Sequence, residues 1–163
     1  MRRRLALQAL AALALALVPA ARAAGEVVLP PIDDLRSLAA DAARSRVPVI
    51  VLFSTPGCPF CREVRQNYLA PRLEEQRQRS RPEYLVREVD ITSRRPIGAI
   101  DGRSLTEAQF ADRYGVGLVP VLIAFDAQWR PLGEPLVGLD RSGFYEAYLD
   151  RLISGAIGVK ADR

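Results

Sequence analysis

Val47-Pro48-Val49-Ile50-Val51-Leu52-Phe53-Ser54-Thr55-Pro56-Gly57-Cys58-Pro59-Phe60-Cys61 is the stretch that decides the fold. Val47 to Phe53 is an almost unbroken apolar run rich in β-branched residues. Such a run fits a strand covered on both faces, as in sheets flanked by helices. Pro48 stands near its start, where a missing N–H is tolerated. Ser54 to Gly57 makes a turn. A helix follows, with Phe60, Val64 and Tyr68 at four-residue spacing. Pro71 is expected to break or kink it, because its ring clashes with the preceding helical turn.

The placement of Cys58 and Cys61, after a buried strand and at a helix start, has a chemical consequence. Unpaired N–H groups and the helix dipole favour negative charge there. Cys58 is then favoured as thiolate, the reactive form. Pro59 suits the first helical turn, and Cys61, one turn on, can reach back to Cys58. That arrangement supports attack, mixed disulfide and resolution. A purely stabilising bridge is the competing reading, but so short a loop contributes only about 2 kcal/mol in the loop-entropy model. Half of a metal site is a second one, and no further Cys and no His stand anywhere in the chain. Without histidine, Ser-His-Asp and Cys-His machinery is excluded as well.

Outward from this stretch, Asp33 or Asp34 can cap a helix bearing Leu35, Leu38, Ala39 and Ala42. A second strand is expected at about Tyr84 to Ile91, followed by a loop over residues 93–103. Ser104-Leu105-Thr106-Glu107 matches a capping box and opens a helix carrying Leu105, Phe110 and Tyr114. Val119 to Phe125 reads as a third buried strand. A turn with Trp129 leads to a fourth, about Leu132 to Val137, placed at an edge because Gly133 and Pro135 punctuate it. Asp140 can cap a final helix over Phe144 to Ile153, with Gly155 ending it. The order α-β-α-β-α-β-β-α predicts an α/β fold, a central mixed sheet with helices on both faces.

Strand, Cys-Pro-Phe-Cys, helix, and a later Val119-Pro120 opening a strand–hairpin–helix unit together resemble thioredoxin-fold proteins. Asp101-Gly102, Leu105-Thr106-Glu107, Tyr114-Gly115-Val116, Val119-Pro120 and Gly138 are similar to periplasmic thioredoxin-like proteins of the SoxW kind. The resemblance implies a thioredoxin-like three-layer fold over residues 33–154 and a thiol-disulfide oxidoreductase with Cys58 and Cys61 catalytic. Pro59 and Phe60 would complete the motif. No cofactor beyond the Cys58–Cys61 disulfide is implied. It further implies a cis Pro120 and a substrate-docking role for Val119. Two positions depart from thioredoxin itself. The buried acid six residues before the first cysteine is replaced by Leu52, and the aromatic residue before that cysteine by Gly57. Glu63 is the nearest acid in sequence, and a solvated helix carboxylate is its simpler reading.

Exported proteins are the expected substrates, with a DsbD-like membrane protein as electron donor and the chain acting as a monomer. A reductant is expected over a DsbA-like oxidant, because Phe60 stands where a histidine helps in the DsbA family. A Cu(I)-carrying thiolate module is the alternative.

These compartment expectations rest on the amino terminus. Arg2, Arg3 and Arg4 precede an apolar stretch, Leu5 to Val18, and Ala21-Arg22-Ala23 offers the small residues of a cleavage site. Residues 1–23 therefore read as a secretory signal peptide, residues 24–32 as a linker and residues 155–163 as a tail. The stretch is short for a membrane span; an uncleaved anchor is the alternative. Residues 1–23 carry four of the 23 basic residues and no acid, so the remaining 19 balance 19 acids. No basic face for nucleic acid is implied. Cleavage after Ala23 predicts that mass spectrometry of periplasmic protein finds a chain starting at Ala24; membrane-bound protein retaining Met1 would contradict it.

Overall fold

The computed structural model describes residues 27–98 and 102–161, so the expected signal peptide lies outside the described residues. The central strand β1 (Val49–Ser54) is buried at every position. Its alternation divides the interior in two. Val49, Val51 and Phe53 enter one core, while Ile50 and Leu52 enter the other. Strand β2 (Leu85–Asp90) pairs with β1 in parallel, with Leu52 opposite Glu88 and Ser54 opposite Asp90. Strand β5 (Val121–Phe125) pairs with β1 antiparallel on the other side, Val121 meeting Phe53. Strand β6 (Leu136–Val137) follows β5 at the edge, giving the order β2-β1-β5-β6.

Helices cover both faces, as the buried run demands. Helix α1 (Leu35–Ser45) and helix α4 (Glu107–Arg113) supply Leu35, Leu38, Ala42, Phe110 and Ala111 to the first core. Helix α2 (Pro59–Glu63) runs into a π-helical segment (Val64–Leu69), then α3 (Ala70–Arg77). With α5 (Tyr145–Ala161) they close the second core through Val64, Leu69, Tyr145, Leu149 and Ala156. In the first core, Phe53, Phe125 and Trp129 pack around Phe110. Trp129 takes a left-handed backbone, φ 59°. It is held there by its indole N–H, which donates to the Leu35 carbonyl at 3.2 Å, and by its own carbonyl, which accepts from Tyr114.

The structure departs from the sequence reading at six places. The stretch expected as a linker is packed from Leu29 onward: Leu29 and Ile32 are buried, and the Pro30 carbonyl accepts from the Glu88 N–H at 3.0 Å. Prolines lack the donor of a ladder strand but not the acceptor, so Pro30-Pro31 can still line an edge. Leu105 lies in a short strand β4 (Leu105–Thr106), paired with β3 (Pro96–Ile97) inside the expected loop. The capping box is formed by Thr106 and Gln109, because Glu107 is drawn inward to Arg95 at 2.9 Å. Pro71 does not end the helical stretch. The π-helical turn places the Ala70 N–H on the Arg65 carbonyl, and Pro71 falls in the first turn of α3, where its ring is tolerated. Regular pairing of the fourth strand is confined to Leu136–Val137. Gly155 does not end α5, which continues to Ala161; fully buried Ala156 anchors the extra turns. A helical glycine costs about 1 kcal/mol, less than burying apolar side chains returns.

The turn between β5 and β6 depends on Asp126, whose side chain is 5% exposed. It accepts from the N–H of Gln128 and of Arg130 and from the Arg130 guanidinium, at 2.8 to 2.9 Å. Burial pushes its carboxyl up, but the bonds from Arg130 and Gln128 outweigh this and hold it below the ordinary value. A depressed folded pKa means stability that is present above the unfolded pKa, about 3.9, and is lost as pH falls through the folded one. Asp126→Asn should therefore destabilise the protein by about 1–3 kcal/mol at pH 7. Denaturant titrations should show the gap to wild type closing below about pH 4.

Candidate active site

The site is built where β1 ends. Gly57 takes φ 73°, a region that L side chains rarely adopt, and the Cys58 N–H returns to the Thr55 carbonyl at 3.3 Å. This sharp turn delivers Cys58 to the N-cap of α2 with extended backbone, φ −70° and ψ 112°. Pro59 follows in the first helical turn, where no N–H is required. The Cys58 sulfur accepts the Cys61 N–H at 3.1 Å. On reduction that donor favours the thiolate over the thiol.

Cys58 and Cys61 form a disulfide with Cα atoms 5.3 Å apart. Cys61 is fully buried, whereas Cys58 is half-buried and accessible from outside. Phe60 stands outward between them, 42% exposed. The guanidinium carbon of Arg141, from the loop before α5, lies 5.2 Å from its ring centroid. That loop is held by Asp140, which accepts from the N–H groups of Ser142 and Phe144.

The register brings Val119 and Pro120 to the same end of the sheet. Val121 pairs with Phe53, so the residues preceding it meet the end of β1 that leads into the Cys58 turn. The Val119–Pro120 peptide bond is cis. Pro120 is buried, Val119 half-buried and Leu118 75% exposed. The Pro120 carbonyl accepts from the Gly138 N–H at 2.8 Å, tying the loop that carries Arg141 to this segment.

A second set of polar groups joins β1, β2 and the π-helical segment. The Glu88 carboxylate accepts from the Ser54 hydroxyl at 2.6 Å and from Arg65 Nε at 3.0 Å and Nη2 at 2.7 Å. The Arg65 and Glu88 side chains are only 12% and 16% exposed. Glu63, the acid nearest the cysteines in sequence, is half-buried. Sequence reasoning did not single out Ser54, Arg65, Glu88 or Arg141. The available signal was Glu88 standing two residues from Val86 in a strand, a charge at a position whose neighbours face the core.

The sequence profile described as a thioredoxin-like domain matches residues 35–152. The chain belongs to the thioredoxin-like domain family. The solved structures it resembles include a thioredoxin-fold protein from Helicobacter pylori. That one is 16% identical over 69% of this chain and 73% of the other, with a TM-score of 0.49. Fasciola hepatica thioredoxin is 17% identical over 78% and 99% of the two chains, TM-score 0.49. Thioredoxin O2 from Arabidopsis thaliana is 16% identical over 76% and 93%, TM-score 0.49. No curated protein sequence matches. In this thioredoxin-like chain the two sulfurs differ in access, and this can be read chemically. After reduction, limiting iodoacetamide should alkylate Cys58 well before Cys61. Peptide mapping showing equal labelling, or Cys61 labelled first, would contradict the burial difference.

Proposed function

We propose that this protein exchanges disulfides with thiols of other exported proteins, Cys58 attacking and Cys61 resolving. The observation that carries the reading is the asymmetry of the pair. An accessible sulfur at a helix N-cap is joined to a fully buried one in the next turn. A bridge serving only stability has no need of such asymmetry and closes too short a loop to contribute much. In the reductive direction the Cys58 thiolate attacks one sulfur of a substrate disulfide, releasing the other as thiolate. Cys61 then attacks Cys58, closing the enzyme disulfide and releasing the second substrate thiol. Two electrons pass to the substrate. A DsbD-like membrane protein would return them, the periplasm being the compartment we propose from the resemblance to SoxW-like proteins.

Val119 and Pro120 are proposed as the docking edge, with Val119 offering backbone groups to an extended substrate segment. Exposed Leu118 adds apolar surface beside them.

The reductive direction is proposed because Phe60 itself brings no charge to the motif. One observation favours the opposite direction: Arg141 lies over Phe60 and brings a cation near the pair. Equilibration against glutathione decides between them. A potential near thioredoxin's, about −270 mV, is expected, and one near about −120 mV would make the protein an oxidant. The roles of the sulfurs have their own check. A Cys61→Ser variant should accumulate mixed disulfides through Cys58; trapping only in Cys58→Ser would reverse the assignment.

A further inference from the structure

Among the described residues the exposed aromatic side chains are Phe60, Phe144 and Tyr148, and all three belong to one strip of surface. Phe60 lies between the cysteines under Arg141, Phe144 follows Arg141 by three residues, and the Phe144 and Tyr148 rings are 6.5 Å apart. Tyr148 and Arg151 then border a groove of about 390 Å³ between the β5–β6 hairpin and α5. Leu132, Pro135 and Leu136 line its hairpin side, and Leu152, Gly155 and Val159 its helix side. We propose that this strip and groove bind an extended segment of the substrate protein in which acidic side chains alternate with apolar ones. The segment so held selects which disulfides reach Cys58. The inference rests on the thiol-disulfide reading above and names its substrate class.

The apolar half of the proposal follows from exposure. Contiguous exposed apolar surface marks an interaction site, and aromatic side chains and arginine are enriched at interfaces. Gly155 adds a second observation. It stands inside α5, where glycine is less favourable than alanine. A Cβ there would meet no atom within 4 Å, so no neighbour within the chain requires the glycine. Its effect is to keep the helix side of the groove open to a closely approaching backbone.

The acidic half follows from the two arginines. The guanidinium carbon of Arg141 is 5.2 Å from the Phe60 ring centroid, and that of Arg151 is 5.8 Å from the Tyr148 centroid. A guanidinium stacked on a ring uses its face and leaves its N–H edge available. A fork held in this way matches a carboxylate through two parallel hydrogen bonds. Among the described residues neither Arg141 nor Arg151 forms an ion pair, and the acids near them are committed elsewhere. Asp140 accepts from the N–H groups of Ser142 and Phe144, while Glu146 and Asp150 pair with Arg72. Glu134 is the one acid among the residues lining the groove.

The groove lies close to the proposed docking edge. Leu136, on its wall, stands opposite Leu122 in the β5–β6 ladder, and Leu122 is roughly 7 Å along the strand from Pro120. Val137 and Gly138 continue toward the site, where the Gly138 N–H reaches the Pro120 carbonyl at 2.8 Å. The helix side of the groove belongs to the same core as Val64, so it shares a face of the sheet with the helical stretch that follows the cysteines. A segment that passes Val119 with its cysteine at Cys58 can therefore continue past Phe144 and Tyr148 into the groove.

The test uses the reduced full-length protein and synthetic peptides with a central cysteine in disulfide with β-mercaptoethanol. Leucine and glutamate alternate on both sides, starting several residues from the cysteine so that its own chemistry is unchanged. In two comparison peptides glutamine or lysine replaces every glutamate. At low ionic strength the glutamate peptide should be reduced about tenfold faster than the glutamine one, and the lysine peptide more slowly still. Molar salt should remove the difference. Arg141→Gln and Arg151→Gln should each lower the glutamate-to-glutamine rate ratio about threefold, with Arg151→Lys keeping most of it. Arg81→Gln, which changes net charge equally at an exposed site before β2, should leave the ratio unmoved. Gly155→Leu places a good helix former in the groove. It should slow every leucine-bearing peptide relative to hydroxyethyl disulfide without lowering the thermal midpoint. Equal rates for the glutamate and glutamine peptides, or a ratio unmoved in both arginine variants, would overturn the inference and leave the function standing. Wild-type peptide rates in Gly155→Leu would overturn it likewise. Failure to reduce any peptide or hydroxyethyl disulfide would instead overturn the thiol-disulfide reading, and this inference with it.

Discussion

Everything in this chain is arranged around the burial of β1. A strand covered on both faces needs partners on both sides for its N–H and C=O groups, and helices above and below for its side chains. β2 and β5 supply the first, and the helices flanking the sheet supply the second. Because the strand is fixed in every direction, its C-terminal end is a rigid platform. The turn through Gly57 therefore projects Cys58 from a point that cannot drift. Cys61, one turn on, is fully buried. A reactive pair placed on a mobile loop would pay for its geometry at every encounter with a substrate; here the core has already fixed it.

Local signals carried the reading of the sequence as far as local signals reach. The apolar run before the cysteines marked β1, and the turn chemistry of Thr55-Pro56-Gly57 marked the entry to α2. What stayed hidden was decided by partners distant in sequence. Glu107 looked like the acid of a capping box because nothing near it revealed that Arg95 would draw it inward. Gly155 looked like a terminator because the burial of Ala156 against the opposite face of the sheet is not visible in a helical repeat. Pro30 and Pro31 looked like linker because proline is judged by the donor it lacks, whereas the edge of β2 asks for an acceptor.

The candidate site divides in the same way. Two cysteines three residues apart announce their chemistry by spacing alone. The Arg65–Glu88–Ser54 cluster cannot be seen that way, since it joins residues from three elements and depends on the parallel register of β1 and β2. The absence of an acid at Leu52 was visible in the sequence; that Glu88 stands opposite Leu52 required the sheet. The π-helical turn matters here as well, since it lies between the cysteines and Pro71 and includes Arg65 itself.

The Pro30 carbonyl on the Glu88 N–H has a consequence for how copies of this protein meet one another. A sheet edge with free N–H and C=O groups is a template for self-association. On the β2 side that template is covered by a segment whose prolines can offer no donor to an incoming strand. Among the described residues the other margin is β6, only two residues long, with Val137 62% exposed. Propagation of the sheet into fibrils is thus blocked at one margin by composition and curtailed at the other by length.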